Sequence, residues 1–177
     1  RKRITTYYGE TSGVGRAILA AGRHGPVRVG VIGLGAGTLA GYGREGDSFR
    51  LYEINPQVID LATKQFSYVT DSQAKLEMSL GDARLSLERE PPQGFDVLAV
   101  DAFSSDAIPV HLLTAEAFDT YFRHLKPGGI LAVHISNRYL DLKPVLREAA
   151  AKFGRHARLF DEDSDETRGL YGSTWVL

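Results

Sequence analysis

Four points along the chain carry residue types that could do chemistry together. The run Gly33-Leu34-Gly35-Ala36-Gly37-Thr38 follows an apolar stretch. Glycines there permit positive φ angles and let the main chain approach a ligand without a Cβ in the way, beside the partly positive N-terminus of a helix. A tight strand-to-helix turn makes the same demand, so the run alone is a weak signal. Glu53 stands in Tyr52-Glu53-Ile54-Asn55, sixteen residues past Gly37. Its two oxygens can accept hydrogen bonds from the two ribose hydroxyls of a nucleoside, and the plainer reading is a solvated strand-end charge. Asp82, in Gly81-Asp82-Ala83, can cap the helix that follows and can also accept the exocyclic amine of adenine. Asp101 and Asp106, in Asp101-Ala102-Phe103-Ser104-Ser105-Asp106, set two carboxylates on one loop. They could bind a cationic amine or remove its proton, against the alternative of a polar loop with incidental acids.

These residues need a frame that brings them to one place. Apolar runs rich in β-branched residues predict strands over 27–33, 49–54, 76–80, 95–100 and 130–135, with two final strands over 158–160 and 173–177. Helical patterns alternate with them: a short helix near 36–42, one from Pro56 capped by Asn55, one over 82–89, one capped by Thr114, and one over 142–153. Lys126-Pro127-Gly128-Gly129 is expected to break the helix before the fifth strand, and the acidic run 161–166 to form a solvated loop. Alternation of this kind predicts an α/β fold, a mostly parallel seven-stranded sheet with helices on both faces, which binds ligands beyond the carboxyl ends of its strands. Each of the four chemical points falls at or just after the end of a strand.

Composition narrows the partners. Twenty-one Lys and Arg against 22 Asp and Glu give a net charge of −1, so no global positive field gathers nucleic acid or an anionic membrane. The absence of cysteine excludes disulfide scaffolds and thiol nucleophiles. The five histidines are scattered without an HExxH pair, so no metal is expected. With no stretch of 18 consecutive apolar residues, no direct membrane insertion is expected. His134 reads as a hydrogen-bonded sheet residue rather than a base, Trp175 as core, and Asn137, Arg138 and Tyr139 as a helix-entry turn or substrate contacts.

Taken in order, Val31-Ile32-Gly33-Leu34-Gly35-Ala36-Gly37, Tyr52-Glu53-Ile54-Asn55, Gly81-Asp82-Ala83 and Asp101-Ala102-Phe103-Ser104-Ser105-Asp106 resemble the spermidine synthase (aminopropyltransferase) branch of the class I S-adenosylmethionine-dependent transferases. The resemblance runs from about Tyr7 to Ile135. It implies a Rossmann-like class I methyltransferase fold. It also implies that Gly33, Gly35 and Gly37 turn around the donor, that Glu53 holds the ribose, and that Asp82 and Ala83 read the adenine. By the same resemblance Asp101 faces the acceptor amine and assists its deprotonation, while Tyr8 and Asp106 line the acceptor groove. The co-substrate would be decarboxylated S-adenosylmethionine or S-adenosylmethionine, the acceptor a small-molecule amine, the assembly a homodimer, and the setting cytoplasmic, either alone or as the cytoplasmic domain of a longer protein. Residues 1–177 are expected to form one nucleoside-binding transferase domain, with 1–25 as its N-terminal segment and helix and without the family's N-terminal β-hairpin domain.

Two departures bear on the activity. The resemblance places an acid near the donor's amine where this chain has Ala36, and it separates the loop acids by two residues, where Asp101 and Asp106 have four between them. The expectation is aminopropyl transfer from the decarboxylated donor to a polyamine amine. The alternatives are methyl transfer from S-adenosylmethionine to a small molecule and a non-catalytic nucleoside-binding domain. Gly35, Gly37 and Ala40 also satisfy the GxGxxA spacing of an NAD-binding oxidoreductase, a reading that leaves Asp82 and Asp101 without a task.

Overall fold

The computed structural model describes residues 4–103, 108–137 and 140–177. In chain order the elements are α1 (Gly13–Ala21), β1 (Arg28–Ile32), β2 (Ser48–Glu53), α2 (Pro56–Lys64), β3 (Lys75–Leu80), α3 (Ala83–Arg89), β4 (Phe95–Val100), α4 (Ala115–His124), β5 (Leu125–His134), α5 (Lys143–Lys152), β6 (Leu159–Glu162) and β7 (Ser173–Val176). The strands form one seven-stranded sheet in the order β3-β2-β1-β4-β5-β7-β6. The first five run parallel, and β7 is antiparallel to both its neighbours. The expected mostly parallel sheet is therefore present.

Period-two alternation sends neighbouring strand residues to opposite cores. Val29, Val31, Val97 and Ala99 pack with α1 and α2 on one face. Ile32, Leu98 and Val100 pack with α3, α4 and α5 on the other. All six residues of β4 are buried, the pattern of a central strand covered on both sides. Chain reversal at helix starts is fixed by side-chain caps: Ser12 on α1, Asn55 before Pro56 on α2, Asp82 on α3 and Thr114 on α4. At the far end of α3, Glu90 accepts from Arg50 at 2.5 Å and from the Tyr52 hydroxyl at 2.9 Å. That network ties α3 to β2.

Three expectations are corrected. The short helix after the glycine run is a 3₁₀ turn, Thr38–Tyr42, entered through Gly37 at φ 78°. The fifth strand begins at Leu125, directly after α4, rather than at Ile130. Between the pairs Phe95↔Leu125 and Val97↔Ile130, β4 advances by two residues and β5 by five. The Pro-Gly-Gly segment thus bulges from a strand that pairs on both sides of it, and Lys126 reaches Asp96 in an ion pair. The acidic run is also not all loop: Asp161 and Glu162 belong to β6, and Asp165 accepts from Arg168 N–H to cap a 3₁₀ turn over Glu166–Arg168.

The segment ahead of α1 is positioned from a distance. Thr6 N–H donates to Gly169 O at 2.8 Å, Tyr171 N–H donates to Thr6 O at 3.2 Å, and the Tyr42 hydroxyl donates to Tyr8 O at 2.5 Å. These bonds lay Tyr7 and Tyr8 across the carboxyl ends of the central strands.

Candidate active site

A cleft of about 980 Å³ opens over the carboxyl ends of β1 to β5, and its wall includes Gly33, Gly35, Glu53, Asp82, Asp101 and His134. It lies where the strand order reverses direction between β1 and β4, the place at which parallel sheets part their loops to opposite sides and admit a ligand.

Gly33 has φ 93°, and a Cβ there would stand 2.5 Å from the Asp101 carbonyl oxygen. Only glycine lets the two central strand ends pass this closely. Gly35, at φ 52°, has nothing within 4 Å of where a Cβ would be, so its backbone is open to the cleft. Gly37 is elsewhere. It packs against Val69 at the start of the 3₁₀ turn, and neither it nor Ala36 is on the cleft wall.

Glu53 is 9% exposed and serves the backbone. Its Oε2 accepts from Leu34 N–H at 3.0 Å and its Oε1 from Asn55 N–H at 2.9 Å. One carboxylate thus joins the glycine turn to the end of β2. Each oxygen has a second lone pair, so two hydroxyls can still be accepted. Asp82 divides its oxygens as well: Oδ1 accepts from Leu85 N–H at 2.8 Å as the α3 cap, and Oδ2 lies 3.0 Å from His111 Nε2. Ala83 follows on the cleft wall. The sequence foresaw the cap but not His111, which a 3₁₀ turn over Val110–Leu112 swings back toward α3.

Asp101 is the most tightly held of these groups. Its side chain is 6% exposed, with Oδ2 accepting from the Tyr8 hydroxyl at 2.6 Å and Oδ1 lying 2.7 Å from His134 Nδ1. Burial, reinforced by the Asp101 charge, pushes the Tyr8 hydroxyl far above the usual tyrosine range. It therefore stays a hydrogen-bond donor at any working pH. His134 does hydrogen-bond, as expected of a sheet residue, but its partner is the candidate catalytic carboxylate. The signal was in the register: Val100 pairs with Val133, so Asp101, just past β4, and His134, the last residue of β5, stand side by side at the strand ends. Asp106, Arg138 and Tyr139 lie outside the described residues, while Asn137 is on the wall. Among the described residues, no group of three or more His, Cys, Asp or Glu could hold a metal ion, and no helix is long and apolar enough to cross a membrane.

No protein-family model matches the chain. It is 29% identical over 152 residues to a polyamine aminopropyltransferase of Vibrio vulnificus (strain CMCP6), an alignment covering 83% of this chain and 44% of that protein. The chain thus spans less than half the length of that relative. Among solved structures it is similar to a spermidine synthase in complex with the transition state analogue AdoDATO, with TM-score 0.65 and 20% identity over 85% of this chain and 54% of that one. It is also similar to human methyltransferase-like protein 13 in complex with SAH, with TM-score 0.68 and 19% identity over 91% of this chain and 78% of that one. These likenesses establish the Rossmann-like class I methyltransferase fold.

Proposed function

We propose that the chain is the nucleoside-binding part of an aminopropyltransferase, moving an aminopropyl group from decarboxylated S-adenosylmethionine to the amine of a small polyamine. The observation that carries the reading is the Asp101 carboxylate, fixed at the cleft between Tyr8 and His134 and one strand away from an open glycine turn. Glu53 faces the ribose, Asp82 and Ala83 the adenine, and the donor's chain passes Gly33 and Gly35 toward Asp101. The reaction is a displacement at a carbon next to sulfonium. It needs alignment of a neutral amine and exclusion of water more than it needs a nucleophile on the protein. Asp101 attracts the ammonium and accepts its proton. The resemblance also supports a homodimer in a cytoplasmic setting. The net charge of −1 supplies no field to gather nucleic acid.

A second reading, methyl transfer from S-adenosylmethionine, is favoured by one observation: the turn 33–38 presents no carboxylate. The carboxylate of a zwitterionic donor tail would meet no like charge from the turn's own side chains. Calorimetric titration with both donors, methylthioadenosine and NAD separates the readings. The proposal expects methylthioadenosine and the decarboxylated donor to bind and NAD not to bind. A preference for NAD, or for no adenosine thioether, overturns it.

A further inference from the structure

Asp101 has both oxygens engaged before any substrate arrives, and the engagement extends into the sheet. On the far side of its ring, His134 Nε2 lies 2.8 Å from Ser136 Oγ, and Ser136 Oγ accepts the Thr174 N–H at 2.9 Å. With one lone pair of Ser136 given to Thr174, its hydroxyl hydrogen can point at Nε2. That leaves the ring proton on Nδ1, aimed at Asp101 Oδ1. The ring is clamped in this orientation. It stacks on Trp175 with centroids 4.4 Å apart and planes at 6°, and Phe103 stands edge-on at 5.0 Å. Trp175 is fully buried.

We propose that His134 is a positioning residue for Asp101, holding the carboxylate aimed at the acceptor amine. The proposal rests on the transfer reading given above. A carboxylate this buried is costly to keep charged unless donors satisfy it. His134 N–H and Tyr8 O–H do so from two sides, and the lone pairs they leave are available to the amine. In the transfer step an N–H bond of the acceptor ammonium breaks and its proton goes to Asp101. The freed lone pair forms the C–N bond, and the C–S electrons remain on sulfur as methylthioadenosine leaves. His134 keeps its proton throughout. Among the described residues, the ionisable groups facing Asp101 are Tyr8, with Tyr7 beside it, and His134. β1 presents Gly33 there and β7 presents Trp175 behind His134, neither of which titrates.

Two variants separate positioning from packing. His134→Phe keeps a flat ring against Trp175 but has no donor; His134→Asn carries an N–H where Nδ1–H stands. His134→Phe is expected to lower kcat about tenfold or more, with methylthioadenosine affinity within about twofold of wild type. His134→Asn should recover most of that loss. An unchanged kcat in His134→Phe, or no recovery in His134→Asn, overturns the proposal. Nitrogen NMR of the histidine-labelled wild-type protein reads the same pair without turnover, the expectation being a protonated Nδ1 and a bare Nε2. The reverse tautomer overturns the proposal whatever the reaction. The expected tautomer in a protein that transfers no aminopropyl group overturns the functional reading and leaves the pair standing.

Discussion

Glu53 does two jobs with one carboxylate. It accepts Leu34 N–H and Asn55 N–H while presenting its remaining lone pairs to the cleft, so its removal should be felt in both stability and binding. Glu53→Ala leaves two N–H groups without their acceptor, at a cost of about 1–3 kcal/mol each where water cannot reach them. On the proposed reading it also removes charge-assisted bonds to the ribose, so methylthioadenosine affinity should fall about tenfold or more. Calorimetry on the folded variant checks this, and unchanged affinity would detach Glu53 from the ligand. Asp101 divides differently. Asp101→Asn preserves the shape and loses the base, so aminopropyl transfer should fall about a hundredfold while nucleoside affinity stays near wild type. Full transfer by that variant would reduce Asp101 to a structural acid. Glu53, Asp82 and Asp101 were legible in the sequence because each stands at or just past the end of a strand, whereas the backbone duty of Glu53 was not, since it depends on a turn sixteen or more residues away folding back to meet it.

The elements behave according to what their termini touch. Gly33 and Gly35 both have positive φ, but only at Gly33 would a Cβ meet backbone, 2.5 Å from Asp101 O. Gly35→Ala should therefore cost about 1–2 kcal/mol of left-handed strain. Gly33→Ala should cost more and displace Asp101, which comparison of urea midpoints and transfer rates would show; equal costs would mean the strand ends are less tightly apposed than described. The α4 terminus carries a pH response. His124 is fully buried, with Nε2 2.8 Å from Leu87 O and Nδ1 accepting Gln93 N–H at 3.3 Å, a pattern that suits the neutral ring. Burial, with Arg123 adding to it, lowers its pKa from the usual 6.5. The unfolded chain then binds the proton more readily, so this contribution is fully present above pH 6.5 and is lost as pH falls toward the folded value, with a slope of up to about 1.4 kcal/mol per pH unit. Urea unfolding at pH 7.5 and 5.5 should show a smaller acid loss for His124→Gln than for wild type; identical losses would remove His124 from the response.

At the scale of the whole molecule, the sheet order decides what the sequence could and could not reveal. Strands β1, β2 and β4 were legible because buried parallel strands are short apolar runs with helical patterns between them, and β3, an edge strand with no fully buried residue, because apolar and polar residues alternate along it. The start of β5 was not, because Pro127, Gly128 and Gly129 read as a break while the strand pairs with β4 on both sides of them. His134 was passed over for a related reason: nothing local marks it, and its importance comes from lying beside Asp101 once β4 and β5 are in register. His111 needed a turn after residues 104–107 to bring it to Asp82. The resulting molecule sets Gly33, Gly35, Glu53, Asp82 and the braced Asp101 carboxylate around one cleft, the arrangement on which the proposed alignment of donor and amine rests. Product analysis tests that directly. Wild-type protein is given a diamine with decarboxylated S-adenosylmethionine or with S-adenosylmethionine, and the nucleosides and amines are identified by mass spectrometry. The expected products from the decarboxylated donor are methylthioadenosine and an aminopropylated amine in equal amounts, whereas S-adenosylhomocysteine from S-adenosylmethionine with no methylthioadenosine from the decarboxylated donor would contradict aminopropyl transfer.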